Sequence, residues 1–341
     1  MAHFGVTQSA RLLTLAGVLL GLLLACGPNQ QPAIQDPARL IVMPDDGSME
    51  LPALLRRAEH SIDVMVYLLT SQEVVRELAA AQRRGVRVRV LLEENPVGGG
   101  EGNRNAAQEL AAAGVAVRWS APTFRFTHAK MILVDGVRAA IMTLNLTASS
   151  MRSNREFVVI VEDSSVLRAL SELFESDWER VPPPVFDLPL VISPANARRV
   201  LHELIVSARH SLEIYVLSLE DDSIAAALAA AAERGVRVRI ITNPPTGSDG
   251  YADERALVRA RGGFIGFLDF PNIHAKVVII DGIRAFVGSQ NFTATSLDQN
   301  REVGILVADP VALQRLQQTF ESDWSQATLE RSAARRLLFA A

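Results

Sequence analysis

Two histidines, each followed at the second position by a lysine, are the residues with the clearest potential for chemistry. The segments His128-Ala129-Lys130 and His274-Ala275-Lys276 contain the only two lysines of the chain. All other side chains that are positively charged at neutral pH are arginines. An ammonium is a compact charge with three donors, whereas a guanidinium is a wide, flat fork. An imidazole titrates near neutrality and can serve as a nucleophile, an acid or a base. A small cation beside an imidazole, present twice, predicts a site built around one phosphate.

The two segments match well beyond these triplets. In each, the lysine is followed at equal distances by an aspartate, a hydroxyl residue, an asparagine and an Asn-Arg-Glu sequence. The matched pairs are Asp135 and Asp281, Thr143 and Ser289, Asn145 and Asn291, and Glu156 and Glu302. This pattern resembles the HKD motif of the phospholipase D superfamily. The second copy fits the family pattern fully, whereas the first has Met142-Thr143 where the family has Gly-Ser, so we expect the bulk of Met142 to affect the width of the pocket on that side.

The resemblance implies cleavage of a phosphodiester through a phosphohistidine. Such a cleavage needs an in-line nucleophile and a protonated leaving group, which two histidines on opposite sides of the phosphorus can supply. The resemblance makes His128 the nucleophile and His274 the acid, although the symmetry of the motifs leaves this choice open from the sequence alone. No metal or other cofactor is implied, because lysine is a poor metal ligand and no Cys/His/Asp cluster accompanies the motifs.

The remaining motif residues have expected supporting roles. Non-bridging phosphate oxygens are expected to bind the lysines and the asparagines, with further donors from the two hydroxyls. The carboxylates expected to bond the far ring nitrogens and fix the tautomers are Glu156 and Glu302. Asp135 and Asp281 open turns after a strand, so we expect them to hold turn geometry rather than take part in the chemistry.

Most of the chain consists of two copies of one sequence repeat. Segments that begin at Ala58 and Gly85 recur 150 positions later, and from the histidines onward the spacing is 146. The second copy is therefore shorter by four residues, and the difference falls in the loops at residues 96–105 and 244–251. An internal repeat of this size predicts two similar structural halves.

Each copy alternates strand and helix patterns before its motif. Buried strands are predicted over residues 63–68 and 213–217, alanine-rich helices over 71–84 and 222–234, and a strand ending in an Asp-Gly turn after each motif lysine. We therefore predict an α/β fold with a mixed, mostly parallel sheet flanked by helices in each half. The resemblance implies that the halves pack about a pseudo-twofold axis with one active site at the seam, so a monomer is expected to be active.

The N-terminus has the composition of a bacterial export signal. An apolar stretch at residues 12–25, too short to span a bilayer, ends at Cys26, the only cysteine. The sequence Leu-Leu-Ala-Cys looks like a lipobox, although an ordinary secretory signal with a chance cysteine is the alternative. We expect lipidation at Cys26 and a position on the periplasmic or extracellular face of a bacterial membrane.

The expected organisation follows from these features. It comprises a signal peptide (1–25), a tether (26–38), a first phospholipase D-like repeat (39–181), a Pro-rich connector (182–190), a second repeat (191–326) and a C-terminal tail (327–341).

The sequence leaves the substrate open. A net charge of −4 argues against a general nucleic-acid binder, and a lipid anchor would hold the chain at a phospholipid surface. We expect hydrolysis or transesterification of phospholipid head groups, with water or an alcohol as the second substrate. The alternatives are a cardiolipin-synthase-like phosphatidyl transferase, a membrane-anchored endonuclease and a non-enzymatic lipoprotein that binds phosphorylated ligands. An endonuclease would need a basic groove, for which the candidates are Arg104, Arg118, Arg125, Arg152 and Arg155.

Two further features have simpler interpretations. Arginines alternate with valines in both copies and are expected to form a solvated strand face; they are Arg87, Arg89, Arg237 and Arg239. The glycines at residues 98–100 are expected to form a flexible lip over the mouth of the active site.

Overall fold

The computed structural model describes residues 32–36, 38–183, 185, 189–246 and 252–330. Cys26, the expected signal peptide and most of the expected tether lie outside these residues. From Ala33 onward the described residues belong to one compact unit. Within the described ranges, none of the helices has the length and apolar character needed to cross a membrane.

The first half is a sheet with helices on its faces. Its strands are β1 (Arg39–Met43), β2 (Ser61–Val66), β3 (Arg87–Leu92), β4 (Ala116–Trp119), β5 (Lys130–Val134), β6 (Arg138–Met142) and β7 (Asn154–Val161). Its helices are α1 (Glu50–Arg56), α2 (Gln72–Arg83), α3 (Gly102–Ala112), α4 (Ala148–Arg152) and α5 (Ser164–Glu179). The strands lie side by side in the order β1-β7-β6-β5-β2-β3-β4.

The second half repeats this arrangement. Its strands are β8 (Leu190–Ser193), β9 (Ser211–Tyr215), β10 (Arg237–Thr242), β11 (Phe264–Phe267), β12 (Asn272–Ile273), β13 (Val277–Ile280), β14 (Arg284–Gly288), β15 (Glu302–Val307) and β16 (Thr328–Leu329). Its helices are α6 (Ala197–Ser207), α7 (Asp222–Glu233), α8 (Ala252–Ala260), α9 (Ala294–Asp298) and α10 (Pro310–Gln326). The order β16-β11-β10-β9-β13-β14-β15-β8 mirrors that of the first half. The predicted α/β fold of two repeated halves is confirmed.

The balance of strand directions differs from the prediction. Parallel pairing within each half is confined to β2–β3–β4 and β9–β10–β11, and the other described pairs within each sheet are antiparallel. The expectation of a mostly parallel sheet is therefore wrong. The reason is the predicted Asp-Gly turn: Asp135 and Gly136 both have positive φ, 55° and 66°, and with Val137 they form a three-residue loop that joins the antiparallel strands β5 and β6.

Side-chain caps stabilise the N-terminal ends of helices α2 and α7. Ser71 accepts a hydrogen bond from the N–H of Val74 at the start of α2, and Asp221 accepts one from Ile224 at the start of α7. Both residues satisfy N–H groups that lack a partner in the first helical turn. The predicted helices at these positions are confirmed to within about two residues.

A shared apolar core joins the two halves. Phe157 of the first sheet and Phe320 of α10 both pack on Tyr215 of the second sheet, with ring centroids 5.3 Å apart in each pair. Aromatic pairs of this kind contribute about 0.5–1.5 kcal/mol beyond their buried area. The seam is therefore built like the interior of a single domain.

Two buried ion pairs cross the same seam. Arg155 of the first half binds both carboxylate oxygens of Asp323, at 2.8 and 2.9 Å, and Arg301 of the second half binds Asp177, at 2.7 and 3.0 Å. Each aspartate lies in the last helix of the opposite half. The Asn-Arg-Glu sequences thus hold the halves together as well as carrying the glutamates.

Short segments at both ends of the repeats are ordered against the second sheet. Ile34, within the expected tether, is buried; its N–H donates to Leu306 and its carbonyl accepts from Ala308. At the other end, β16 pairs with β11, so part of the expected tail completes the sheet. The folded unit therefore extends a few residues beyond both predicted boundaries.

The alternating arginines are not all solvated. Arg89 binds Asp63 and Glu175 and lies over the rings of Phe174 and Trp178, and its side chain is only 11% exposed. Arg239 has the matching contacts in the second half. The expectation of a solvated face is therefore wrong for these two arginines. Through their ion pairs and ring contacts they join the last helix of each half, α5 or α10, to its sheet.

Candidate active site

In each half the motif lies at one end of the central strands of the sheet. Lys130 is the first residue of β5 and Lys276 directly precedes β13, while Glu156 and Glu302 lie near the starts of β7 and β15. Asn145 and Asn291 follow the ends of β6 and β14, which run antiparallel to these strands. The hairpins therefore bring the motif residues of each half to one end of its sheet.

Backbone pairing across the seam brings the two ends together. The N–H of His128 donates to the carbonyl of Arg301 at 2.8 Å, and the N–H of Arg301 donates to Phe126 at 2.9 Å. On the other side, β12 pairs with the start of β7, and the N–H of His274 donates to Arg155. Each histidine segment thus lies along the strand that carries the other half's glutamate.

The consequence is a pair of crossed histidine–glutamate contacts. His128 Nδ1 lies 2.8 Å from Glu302 Oε2, and His274 Nδ1 lies 2.7 Å from Glu156 Oε1. Both carboxylates are fully buried. With Nδ1 donating to a carboxylate, Nε2 of each ring carries the lone pair in the neutral imidazole. The sequence predicted the partnership of His with Glu, and the structure adds that each partner comes from the opposite half.

The two lysines are buried beside these histidines. Each Nζ donates to the carbonyl of the histidine two residues before it, and Lys276 Nζ lies 3.3 Å from both ring nitrogens of His274. Burial is the main reason that the pKa of Lys130 falls to about 7 and that of Lys276 to about 8. The site thus holds two cations that a phosphate anion would stabilise.

The imidazoles are neutral in the free site. Burial, joined by the charge of Lys130, lowers the pKa of His128 to about 4 despite the attraction of Glu302. Burial also lowers the pKa of His274, and the charge of Lys276 acts in the same direction. The charge of each lysine is also felt by the histidine of the other half, so the four residues form one electrostatic site.

The carboxylates remain ionised in spite of their burial. Burial by itself raises the pKa of Glu302, but the attraction of His128, their hydrogen bond and the charge of Lys130 bring it down to about 2. Burial opposes a similar lowering of the pKa of Glu156, which His274 and Lys276 cause. Two buried carboxylates therefore balance two buried ammonium groups.

The hydroxyls of Thr143 and Ser289 brace the glutamates. Thr143 Oγ1 donates to Glu156 Oε2 at 2.6 Å and accepts from the N–H of Phe157 at 2.9 Å. Ser289 Oγ donates to the carbonyl of Val303 at 3.3 Å and accepts from the N–H of Val303 at 3.1 Å, and its nearby hydroxyl helps to keep the pKa of Glu302 low. The expectation that these hydroxyls donate to phosphate is corrected, because their bonds are made to the strands and carboxylates behind the histidines.

The side-chain oxygens of both motif asparagines lack hydrogen-bond partners among the described residues. Asn145 and Asn291 are half-buried, and both of these oxygens are buried. A buried amide without a partner costs free energy, so a ligand that binds it is favoured. The unpaired atom is an acceptor and suits a donor such as the O–H of water or an alcohol, whereas the predicted contact with phosphate oxygens would use the amide N–H groups and stays a prediction.

Asp135 and Asp281 lie away from the site, at the far ends of their strands. The carboxylate of Asp135 accepts from the N–H groups of Glu59, His60 and Ser61 at 2.7–2.9 Å. Asp281 binds the matching three N–H groups in the second half. Their expected structural role fits this placement, since each joins the hairpin turn to the start of the neighbouring strand.

Met142 lies in the apolar core behind the first sheet and not in the pocket. At the matching Gly288, an added Cβ would lie 2.7 Å from the Phe286 ring and 2.6 Å from Gly304 Cα. The first half has Ala140 and Val158 at the positions of Phe286 and Gly304. The bulk of Met142 thus fills the space that a phenylalanine takes in the second half, and the expected effect on the pocket is not seen.

Several site residues were missed from the sequence. Ser296 Oγ and Asn300 Nδ2 both donate to Glu302 Oε1, at 2.6 and 3.0 Å. Tyr67 lies edge-on to His128 with ring centroids 4.7 Å apart, and its counterpart in the repeat is Leu217. The sequence signal that could have found Tyr67 is the mismatch of the repeat at this position, Tyr67 against Leu217, in the pair of buried strands predicted over residues 63–68 and 213–217. Over the described ranges, no group of three or more His, Cys, Asp or Glu residues is placed to hold a metal ion.

Known proteins share this arrangement of two halves. The family model described as "Cardiolipin synthase, PLD-like domain" matches residues 51–178 and 201–324, one match in each repeat. The phosphatidylserine synthase of Haemophilus influenzae has a similar fold, with a TM-score of 0.67 at 12% identity, covering 88% of each chain.

Two curated relatives carry the likeness at the level of sequence. The mitochondrial cardiolipin hydrolase of Xenopus tropicalis is 31% identical over 42% of this chain and 66% of its own length. The cardiolipin synthase of Geobacillus kaustophilus is 25% identical over 81% of this chain and 64% of its own length. The chain thus spans less than two thirds of either relative. Because the family model covers most of both repeats, the chain belongs to the phospholipase D-like family of cardiolipin synthase domains, within the phospholipase D superfamily.

Proposed function

We propose that this protein hydrolyses or transesterifies the head groups of phospholipids through a phosphohistidine intermediate. The observation that carries the proposal is the crossed pairing of His128 with Glu302 and of His274 with Glu156 around two buried lysines. Each imidazole has its Nδ1 held by a carboxylate, which leaves Nε2 for chemistry. The two histidines can therefore divide the roles of nucleophile and acid.

In the first step, His128 Nε2 attacks phosphorus as the bond from phosphorus to the head-group oxygen breaks. The head-group oxygen takes a proton from His274 Nε2 and leaves as an alcohol. Glu302 stabilises the positive charge that develops on the His128 ring. The substrate's negative charge raises the pKa of His274, so this ring can hold its proton once the phosphate is bound.

In the second step, neutral His274 takes a proton from water or an alcohol, whose oxygen attacks phosphorus. The bond from phosphorus to His128 breaks, and the product is phosphatidic acid or an exchanged phospholipid. Lys130 and Lys276 balance the charge of the non-bridging oxygens in both steps, with the amides of Asn145 and Asn291. All residues return to their starting protonation states.

The surroundings of the site favour a phospholipid over DNA. Three of the five arginines considered for a basic groove are engaged elsewhere: Arg104 with Glu101, Arg118 with Glu179 and Arg155 with Asp323. Nucleic-acid binding depends on free cations that neutralise phosphates. The names of two relatives refer to cardiolipin, which supports a lipid substrate for this chain and makes a phosphatidyl transferase an equally suitable form of the reaction.

We also propose that the chain is exported and lipidated at Cys26, which would keep the site at a membrane surface. This proposal depends on the sequence at residues 12–26 alone. Its test is metabolic labelling with a palmitate analogue, in which Cys26→Ala should abolish incorporation.

The proposed reaction is tested with vesicles of phosphatidylglycerol or cardiolipin, ethanol and EDTA, with products identified by mass spectrometry. Phosphatidylethanol formed by the wild type and not by His274→Ala is the expected result. Cardiolipin formed from phosphatidylglycerol would identify a transferase, and phosphatidic acid from cardiolipin a hydrolase. Degraded plasmid DNA without any lipid product would contradict the choice of substrate.

A further inference from the structure

Tyr67 occupies a position where the two halves of the site differ. Because Val66 pairs with Lys130 in the sheet, the next residue, Tyr67, lies beside the His128 segment. Its ring is edge-on to His128 at 4.7 Å and to Phe126 at 5.9 Å, and Lys130 Nζ lies 5.4 Å from the ring centroid. Tyr67 is thus packed against one histidine and one lysine of the first motif.

The hydroxyl of Tyr67 points to a loop and not to the phosphate site. It accepts a hydrogen bond from the main-chain N–H of Val97 at 2.6 Å. Burial is the main reason that the pKa of Tyr67 is raised, so the phenol stays protonated at neutral pH. A neutral phenol bonded to a loop has a mechanical rather than an acid–base role.

The loop packs directly on the chain that follows Tyr67. An added Cβ at Gly99 would lie 3.0 Å from Leu68, and one at Gly102 would lie 2.5 Å from Thr70. Asn103, which is buried, donates to the carbonyls of Tyr67 and Glu93. The residues 96–102 and the end of β2 therefore form one packed unit, in contrast with the free lip expected from the sequence.

The second half lacks this tyrosine. Leu217 stands at the position of Tyr67 and cannot make the hydroxyl contact. His274 has Lys276 Nζ against its ring in place of an aromatic side chain, and it is more exposed than His128, 19% against 13%. The two histidines thus have matching carboxylates and different supports.

We propose that Tyr67 is a positioning residue that couples the loop at residues 96–102 to the His128 ring. A substrate that enters past the loop acts on the imidazole through the Val97–Tyr67 hydrogen bond. His128 is held in one orientation for attack, whereas His274 is free to exchange protons with the leaving group and with water. This role rests on the proposed function for its kinetic consequences, although its effect on the imidazole can be measured without catalysis.

The coupling is tested with the variants Tyr67→Phe, Val97→Pro and their combination. The first removes the acceptor and keeps the ring, and the second removes the N–H donor. Each should lower kcat by about fivefold, the factor that corresponds to one ordinary hydrogen bond, with KM changed less than twofold, because a loosened His128 attacks less often in the correct orientation. The double variant should be no worse than either single variant. Val97→Ala keeps the N–H, so a change in kcat that it does not share belongs to the lost donor. Additive effects in the double variant would overturn the coupling.

The effect on the imidazole is tested with Tyr67→Leu, which copies the second half. Diethyl pyrocarbonate modifies neutral imidazoles, and peptide mass mapping gives separate rates for His128 and His274 in the same sample. Because burial keeps the pKa of His128 low, loss of the ring should raise this pKa and leave the titration of His274 unchanged. Equal shifts at both histidines, or no shift at His128, would overturn the role of Tyr67. If the wild type is inactive on lipids, this experiment still decides the role of Tyr67, and only the proposed function fails.

Discussion

His128 and Glu302 are 174 residues apart in the chain, yet His128 Nδ1 lies 2.8 Å from Glu302 Oε2. His274 and Glu156 form the reciprocal pair at 2.7 Å. Both contacts follow from backbone pairing in which each histidine segment lies along the opposite half's glutamate strand. Neither repeat contains a complete candidate site, so the proposed activity would need both halves at the interface between them.

Glu302→Gln should abolish most of the activity while the protein stays folded. Glutamine keeps the shape of the side chain, but it cannot stabilise the charge on His128 and can favour the wrong tautomer. We expect kcat to fall on the order of 10⁴-fold, the loss known for the carboxylate that orients the histidine of a Ser-His-Asp triad. Kinetics on phospholipid vesicles, with circular dichroism to verify folding, measure this.

The exposed Glu94 offers a control for this change, since Glu94→Gln removes the same charge from an exposed side chain that bonds neither histidine. An activity of Glu302→Gln within about threefold of the Glu94→Gln value would contradict the role given to the crossed pair.

The pH profile of kcat/KM should have its maximum on the acidic side of neutrality. His128 must be neutral to attack, so activity rises with pH through its pKa of about 4. His274 must be protonated to act as the acid and the lysines must be charged to bind phosphate, so activity falls as pH rises through the lowered pKa of His274 and then through the lysine pKa values of about 7 and 8. A bound phosphate stabilises the ammonium groups, so the falling limb of kcat should lie at higher pH than that of kcat/KM. Identical basic limbs in both profiles would contradict the titration of the lysines.

The motif pairs could be predicted from the sequence because the repeat presents the same residues twice at matched spacing. Their crossed arrangement could not, since the spacing within each copy is equally compatible with His128 bonding Glu156 of its own half. The roles of Thr143 and Ser289 were also beyond the sequence, because a hydroxyl next to a motif can face a ligand or a neighbouring strand. Pairing across the seam, which depends on tertiary packing, decides both questions.

The strand directions and the environment of Met142 show the same limit. The Asp-Gly turn after β5 predicted an antiparallel hairpin. The local sequence did not show that antiparallel pairs would outnumber the parallel pairs formed by the βαβ segments. Met142 suggested a change in the width of the pocket. The residues that make room for its side chain, Ala140 and Val158, become its neighbours only when the strands pair, so the sequence alone did not reveal them.

Met142→Gly, which restores the family residue, should destabilise the protein without raising its activity. The side chain is buried in the core of the first half, and its loss leaves a cavity that costs about 2–5 kcal/mol. The double variant Ala140→Phe/Met142→Gly copies the second half and should recover part of this loss. Urea denaturation gives the free energies of unfolding, and a gain in kcat for Met142→Gly would indicate that Met142 does face the pocket.

Asp323→Ala should weaken the seam. It leaves the buried guanidinium of Arg155 without its main partner, which costs about 3–5 kcal/mol. The exposed pair of Arg261 with Glu233 serves as a control, because Glu233→Ala should change the free energy of unfolding by less than about 0.5 kcal/mol. Equal effects of the two variants in urea denaturation would show that the crossed ion pairs do not hold the halves together.

The central claim, a covalent phosphoryl group on His128 that His274 helps to form and to release, is tested most directly with a phosphatidyl ester of p-nitrophenol. This leaving group needs no acid, so His274→Ala should still form the intermediate but should lack the base that activates water for its hydrolysis. We predict a burst of about one equivalent of p-nitrophenolate per protein. Mass spectrometry should then find the phosphatidyl group on His128, and His128→Ala should give no burst. A burst from His128→Ala with the adduct on His274 would reverse the two roles, and steady release of p-nitrophenolate without any adduct would contradict the phosphohistidine mechanism.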